Sequence, residues 1–354
     1  YEGPDGDINL APLQKFEFYE YQKNHYLIPH LGNSEQWANT LFFGSDQQVK
    51  LSLEIGGEPG YELISDPLQV GTWAFEGIER GTGFVRLLNH TENPTLGNDA
   101  YWNGIFEFAR RDGIAGSAAI APIPYRTTPG STSLILPHVA KDQENFWTGY
   151  SLLNPGNTTT LVQGVAYGYQ GEVLAQTDFL LPPQTQDIRI IQKLFPSLPI
   201  PTIAWIRFTS ETPICGIELF GSPNPKKGYL AGFELAPSSR LAQLLLFPAV
   251  GFDSDRVTGL SLVNPHSQSI SIEIALCQDV LGGDNLVQLG NYQIPAFGKW
   301  TALLDDLRQN SGIPHSQMRA IRVYSNLPIT GFVLIANNEL TQLGGYLGIP
   351  GSPD

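Results

Sequence analysis

The chain repeats itself three times, and that constrains its fold more than any single motif. The three openings read YLIPHLGNSEQWANTLFFGS, LILPHVAKDQENFWTGYSLLNPG and LLLFPAVGFDSDRVTGLSLVNPH. Each is an apolar run, a proline and then a strand-like segment. The prolines, Pro29, Pro137 and Pro248, lie about 110 residues apart, one ordinary domain length. The closing ends agree as well. GFVRLLNH, AWIRFTSETPI and AIRVYSNLPI put Arg86, Arg207 and Arg322 at one repeat position, and each precedes an apolar segment that opens on Gly104, Gly216 or Gly331. Copies two and three are the closer pair. Copy one has Gly44-Ser45 where they have Asn-Pro, and it carries an insertion, ENPTLGNDAYW, before Gly104. The expected division is an N-terminal arm over 1–24, a divergent repeat over 25–128, and repeats over 129–240 and 241–354.

Within copy two the apolar segments LILPHV, TGYSLLN, LVQGVAYGY, VLAQTDFLL, DIRII, AWIRFTS, CGIELFG and LAGFEL are short and bounded by Gly, Pro, Asn or Asp. That is the punctuation of strands. In AWIRFTS, Ile206 and Phe208 fall on one face and Trp205, Arg207 and Thr209 on the other, which predicts a sheet covered on one side only. Short helical turns are expected at IIQKLF and LLDDLRQN. The fold class this predicts is all-β: three tandem antiparallel β-sandwiches of immunoglobulin-like type. Trp37 and Trp147, matched by Val257, are expected in the core.

Charged residues make up 15% of the 354, while Gly (37) and Pro (27) are abundant, which suits many short strands and tight turns. The net charge of −14 repels phosphates and anionic lipid, so nucleic acid and membrane insertion are excluded as partners. No apolar run reaches the roughly 20 residues that span a bilayer. A start at Tyr1 fits a mature product whose signal segment has been removed. Cys215 and Cys277 stand in different copies inside apolar strands, so buried thiols are expected rather than a disulfide.

Candidate sites are few. His30 and His138 follow the opening proline and are read as strand-end residues bonding loop carbonyls. The repeated arginine is read as a cross-strand partner for Asp or Glu. Trp73, Trp102, Tyr167 and Tyr169 lie in or beside variable segments, where aromatic rings can stack on sugars. No cofactor is expected apart from calcium, whose candidate ligands are Asp5, Asp7 and Asn9 or Asp253 and Asp255, alternating oxygens without the full spacing of an EF-hand. In the arm, Phe16, Phe18, Tyr19 and Tyr21 form a strand-like segment that can add to its own domain or to a neighbouring subunit's sheet edge. There is no GxSxG elbow, P-loop, strand-anchored GxGxxG or Cys/His dyad signature, so an enzyme is not expected.

The pattern apolar-Pro-His, then Trp-Thr-x-x-Leu-x-Leu-x-Asn-Pro, then a late apolar-Arg-apolar strand resembles a sandwich module found in tandem in secreted and surface-attached bacterial proteins. The resemblance runs from Tyr26 to Pro350. Repetition of a stable sandwich, the absence of catalytic motifs and the aromatic N-terminal strand lead to the expectation of a non-enzymatic extracellular structural protein, a subunit or decoration of a surface layer, sheath or fibre. Its partners are then itself, other surface proteins or glycans. A carbohydrate-binding adhesion protein is the alternative.

Overall fold

The computed structural model describes residues 25–33, 37–45, 48–56, 58–65, 71–75, 81–89, 92–93, 98–99, 102–110, 117–120, 123–125, 130–224, 230–248, 250, 255–277, 286–311, 320–339 and 343–351. The fold is all-β, built from antiparallel sheets packed as sandwiches.

Its plan is clearest between 131 and 237, where one long strand, Trp205–Gly221, belongs to both layers. Its first half pairs with Ser131–Leu136 and Thr160–Tyr167, and the latter carries the edge strand Val173–Leu181. Its second half pairs with Trp147–Asn154 and Leu230–Glu234, and Thr185–Ile190 lies outside Trp147–Asn154. The two halves are apolar and the crossing between them is polar. There the Ser210 hydroxyl donates to the Thr212 carbonyl at 2.7 Å, beside a register shift in the pairing with Ser131–Leu136. A local side-chain bond of this kind holds the bend where a strand leaves one sheet for the other.

Strands between 242 and 351 pair in the same order around the long strand Ala320–Asn337. Ser325 repeats the Ser210 bond, donating to the Leu327 carbonyl at 2.7 Å. Between 25 and 125 the strand order of both layers is again the same, but 90–101 interrupts the long strand, leaving Gly81–Asn89 in one sheet and Trp102–Arg110 in the other. These sets of strands are the first (25–125), second (131–237) and third (242–351) units. Each has its own apolar interior: Leu41, Phe43, Val85 and Leu87; Tyr150, Leu152, Ile206 and Phe208; Leu260, Leu262, Ile321 and Val323. Each such side chain contributes about 1.5–3 kcal/mol on leaving water.

The short helices fall where expected, at Ile191–Leu194 and Leu304–Ser311, with Ile191 and Leu304 buried. Cys215 and Cys277 are free and buried. One sequence equivalence is corrected. Gly216 lies opposite Leu152, five residues past Trp147, and Gly331 opposite Leu262, five past Val257; Gly104 lies opposite Phe43, six past Trp37. Ala38, not Trp37, therefore holds the place of Trp147. A slip of one residue exchanges the faces of a strand. None of the described helices is long and apolar enough to cross a membrane.

Candidate functional site

The most elaborate chemistry among the described residues lies where successive units meet. On the outer face of each unit, three residues line up across the sheet: Leu27, Arg86 and Ile123; Ile135, Arg207 and Ala236; Leu246, Arg322 and Ile349. The alternation in AWIRFTS predicts a solvated outer face. The structure corrects this, because Leu27, Ile123, Ile135 and Ala236 are all buried, covered by the following unit.

The arginines make the same contact at both joints. Arg86 Nη2 donates to the Pro155 carbonyl at 2.7 Å, and Arg207 Nη2 donates to the Pro265 carbonyl at 2.6 Å. An aromatic ring of the same strand lies under each guanidinium, Phe84 at 5.3 Å and Trp205 at 5.4 Å. Among the described residues the expected acidic cross-strand partner is found for Arg86 alone, whose Nη1 is 3.6 Å from Glu54 Oε2; Arg207 has Val165 opposite.

The acceptor is built by the repeated Asn-Pro. Asn154 is fully buried, its Nδ2 donating to the carbonyls of Thr158 and Leu181 while its Oδ1 accepts from the Gly156 amide. Asn264 does the same with Gln268, Pro295 and the His266 amide. The side chain thus pins a turn whose proline, which has no N–H, presents its carbonyl to the preceding unit. Beside it a residue sits in the left-handed region, Gln184 or Phe297, each at φ 54°. Gln184 Nε2 donates to Pro155 and its Oε1 accepts from Arg86 at 2.9 Å. Phe297 sets its ring 5.5 Å from the Arg207 guanidinium, and its carbonyl accepts from Trp205 Nε1 at 2.8 Å.

Around this shared contact the joints differ. In the first, Ser151 Oγ and Gln186 Nε2 donate to the Pro29 carbonyl, and Leu153 and Cys215 pack with Leu27, Phe84 and Ile123. Ile217 and Leu230 join the apolar cluster of the first unit, and Trp147 packs there rather than in its own sandwich. Gly221 makes room for it, since a Cβ at 221 would stand 2.2 Å from the indole.

In the second joint, Lys299 takes the register position of Gln186. Its Nζ donates to His138 Nδ1 at 2.6 Å and to the Ala204 carbonyl at 2.9 Å. His138 stands between the rings of Phe220 and Phe332, at 5.6 and 5.3 Å. Burial, and then the charges of Lys299 and Lys141, hold its pKa well below the usual histidine range. Glu218 is also fully buried. Burial pushes its carboxyl well up against the opposing charge of Lys299, and burial pushes the Lys299 amine well down against that of Glu218.

The sequence-selected residues are not brought together as one site. Tyr167 is buried in the second joint, stacked on Trp205 at 4.2 Å and 7° and near Phe297 at 5.5 Å. It offers no face to a sugar, which corrects the ligand-binding expectation there. Tyr169 is half-buried beneath Lys141 Nζ, 3.7 Å from the ring centroid. Trp73 packs edge-on against Phe75 in the first unit. Trp102 opens a strand opposite Ser45, and its side chain lies outside the described residues, as do Asp5, Asp7, Asn9, Phe16, Phe18, Tyr19, Tyr21 and Asp253. Asp255 is exposed, its carbonyl accepting from the Asn338 amide. Among the described residues no group of three or more His, Cys, Asp or Glu side chains could hold a metal ion. His30 lies not at a strand end but inside the strand His25–Asn33, at the irregularity between Ile28 and Leu31, where burial lowers its pKa to about 4. Lys299, Glu218, Trp205 and the pinning asparagines are absent from the sequence-based selection. The signal for the joint is an offset: the arginine occurs in all three copies, the Asn-Pro only in the second and third.

No family model and no curated protein sequence matches the chain. Among solved structures it is similar to Thermotoga maritima 1070, with 11% identity and a TM-score of 0.28, over 31% of this chain and 96% of that one. It is also similar to the M60 catalytic domain with the CBM51-1 and CBM51-2 domains from Clostridium perfringens ZmpB, with 7% identity and a TM-score of 0.15, over 52% of this chain and 31% of that one. A third similarity is to the major pilin from Streptococcus pyogenes, with 7% identity and a TM-score of 0.17, over 93% and 99% of the two chains. At these scores none of the three bears on function.

Proposed function

We propose that the chain is a non-enzymatic structural protein of the cell exterior, a subunit or decoration of a surface layer, sheath or fibre. In this reading an arm over 1–24 is followed by sandwich domains over 25–128, 129–240 and 241–354. The observation that carries it is the repeated joint: one directional contact, arginine to a pinned proline carbonyl, fastens the first unit to the second and the second to the third. A contact between different faces of equivalent units does not saturate itself, so it suits a load-bearing array. The polar groups at the joints serve the joints. Lys299, His138, Gln184 and Gln186 are engaged with backbone or with one another across the boundary between units. Light scattering and negative-stain imaging of the full chain test the reading. Assembly into oligomers or fibres with rising concentration is expected, and a chain that stays monomeric at every concentration overturns it.

A further inference from the structure

We infer that the outer face of the third unit, the row Ile349, Leu246, Arg322 and Ala275, is a docking surface for the first unit of a second copy, repeating between molecules the joint used twice within one. This rests on the structural-subunit reading. The row is the register equivalent of Ile123, Leu27, Arg86 and Glu54, and of Ala236, Ile135, Arg207 and Val165. In those units Leu27, Ile123, Ile135 and Ala236 are buried by the next unit; in the third, their equivalents Leu246 and Ile349 are partly exposed and Tyr324, two residues along from Arg322, is 43% exposed. Arg322 faces Ala275 across the sheet and has no hydrogen-bond or ion-pair partner among the described residues. An arginine set among aliphatic side chains has the composition of a joint face.

The complementary face is on the first unit. There Leu41 and Phe43 point into the core, so Phe42 and Thr40 point outward on the strand Trp37–Ser45. Thr72 and Glu107 lie directly across from them, on the same face. Phe42 takes the register position of Ser151, which faces the preceding unit in the first joint. Glu107 adds a carboxylate, without an ion-pair partner among the described residues, to the face that would meet Arg322. Ser45, not Asn, stands where Asn154 pins its turn, so the joint between molecules lacks the fixed carbonyl and is weaker than the internal ones. It forms reversibly and with concentration, each copy offering one face of each kind.

The test is sedimentation velocity on the full chain, wild type and two variants, Arg322→Glu on one face and Thr72→Arg, at an exposed position, on the other. Circular dichroism checks that both fold. Each variant alone should self-associate at least about tenfold more weakly than wild type. Mixed in equal amounts they should associate again, because each supplies the intact face the other lacks and the two substituted faces carry opposite charges. Oligomers that persist unchanged in both variants overturn the assignment of the faces and leave the structural reading standing. A wild-type chain that is monomeric at every concentration overturns both.

Discussion

The two joints share a contact and differ in everything packed around it. At the first, amide and hydroxyl side chains, Gln184, Gln186 and Ser151, complete the arginine contact, and the filling is aliphatic. At the second, Gln184 gives way to Phe297 and Gln186 to Lys299, and the filling is a group of rings, Tyr167, Trp205, Phe220 and Phe332, around a buried His138, Lys299 and Glu218. What both keep is a guanidinium donating to a main-chain carbonyl. Such a contact needs only that the turn be pinned, and the buried asparagine does that locally, so the surrounding side chains are free to change. The comparison separates what defines the direction of the joint from what sets its strength.

The sharpest way to break the comparison is to remove the buried amine that distinguishes the second joint. Lys299→Ala leaves the buried His138 Nδ1 without its donor and takes one of two donors from the Ala204 carbonyl, which keeps the Val139 amide. It should cost about 1–3 kcal/mol in denaturant unfolding, as for a buried acceptor left unpaired. The double variant Glu218→Val with Lys299→Met, which places at 218 the residue that the third unit has at Val333, should recover most of that loss. Gln186→Ala at the first joint removes only neutral hydrogen bonds and should cost about 0.5–1.5 kcal/mol. Equal losses at the two positions would mean that the buried amine adds nothing beyond a neutral hydrogen bond.

Acidification gives a smaller effect. His30 and His138 both have folded-state pKa values lowered by burial, so the unfolded chain binds protons first as pH falls. The destabilisation begins near the unfolded value of about 6.5 and, for His30, grows until about pH 4. From pH 7 to 6 it amounts to about 0.7 kcal/mol per histidine, from the linkage relation. His138→Gln, which does not titrate and can still accept from Lys299, should flatten the part due to the second joint. An unchanged pH profile in that variant would place the sensitivity elsewhere.

Much of the fold was legible in the chain. The Gly, Pro and Asn punctuation gave the strands, and the apolar settings of Cys215 and Cys277 gave buried thiols. The joints were not legible, for a physical reason. Periodicity shows that Arg86, Arg207 and Arg322 are equivalent, but their partner lies in the next copy, and alternation within one strand has no means of registering a neighbour that covers its outer face. Trp205 therefore reads as a residue of an open face and Tyr167 as a ring beside a variable segment, although they stack inside the second joint. Lys299 went unremarked because its counterpart, Gln186, shares no chemistry with it beyond reaching back to the preceding unit. Trp37 was matched to Trp147 by residue type, whereas the strand pairings place Ala38 there.

The most direct test of the account is the unfolding free energy of three variants, Arg86→Ala, Arg207→Ala and Arg322→Ala, measured by chemical denaturation at a concentration where the chain is monomeric. If the joint is one directional contact used twice, the first two lose about 1.5–3 kcal/mol each, as for a charge-assisted bond to a carbonyl. The third then stays within about 0.5 kcal/mol of wild type. Equal losses in all three, or none in the first two, would show that the arginine belongs to its own sheet and that the joint is held by something else.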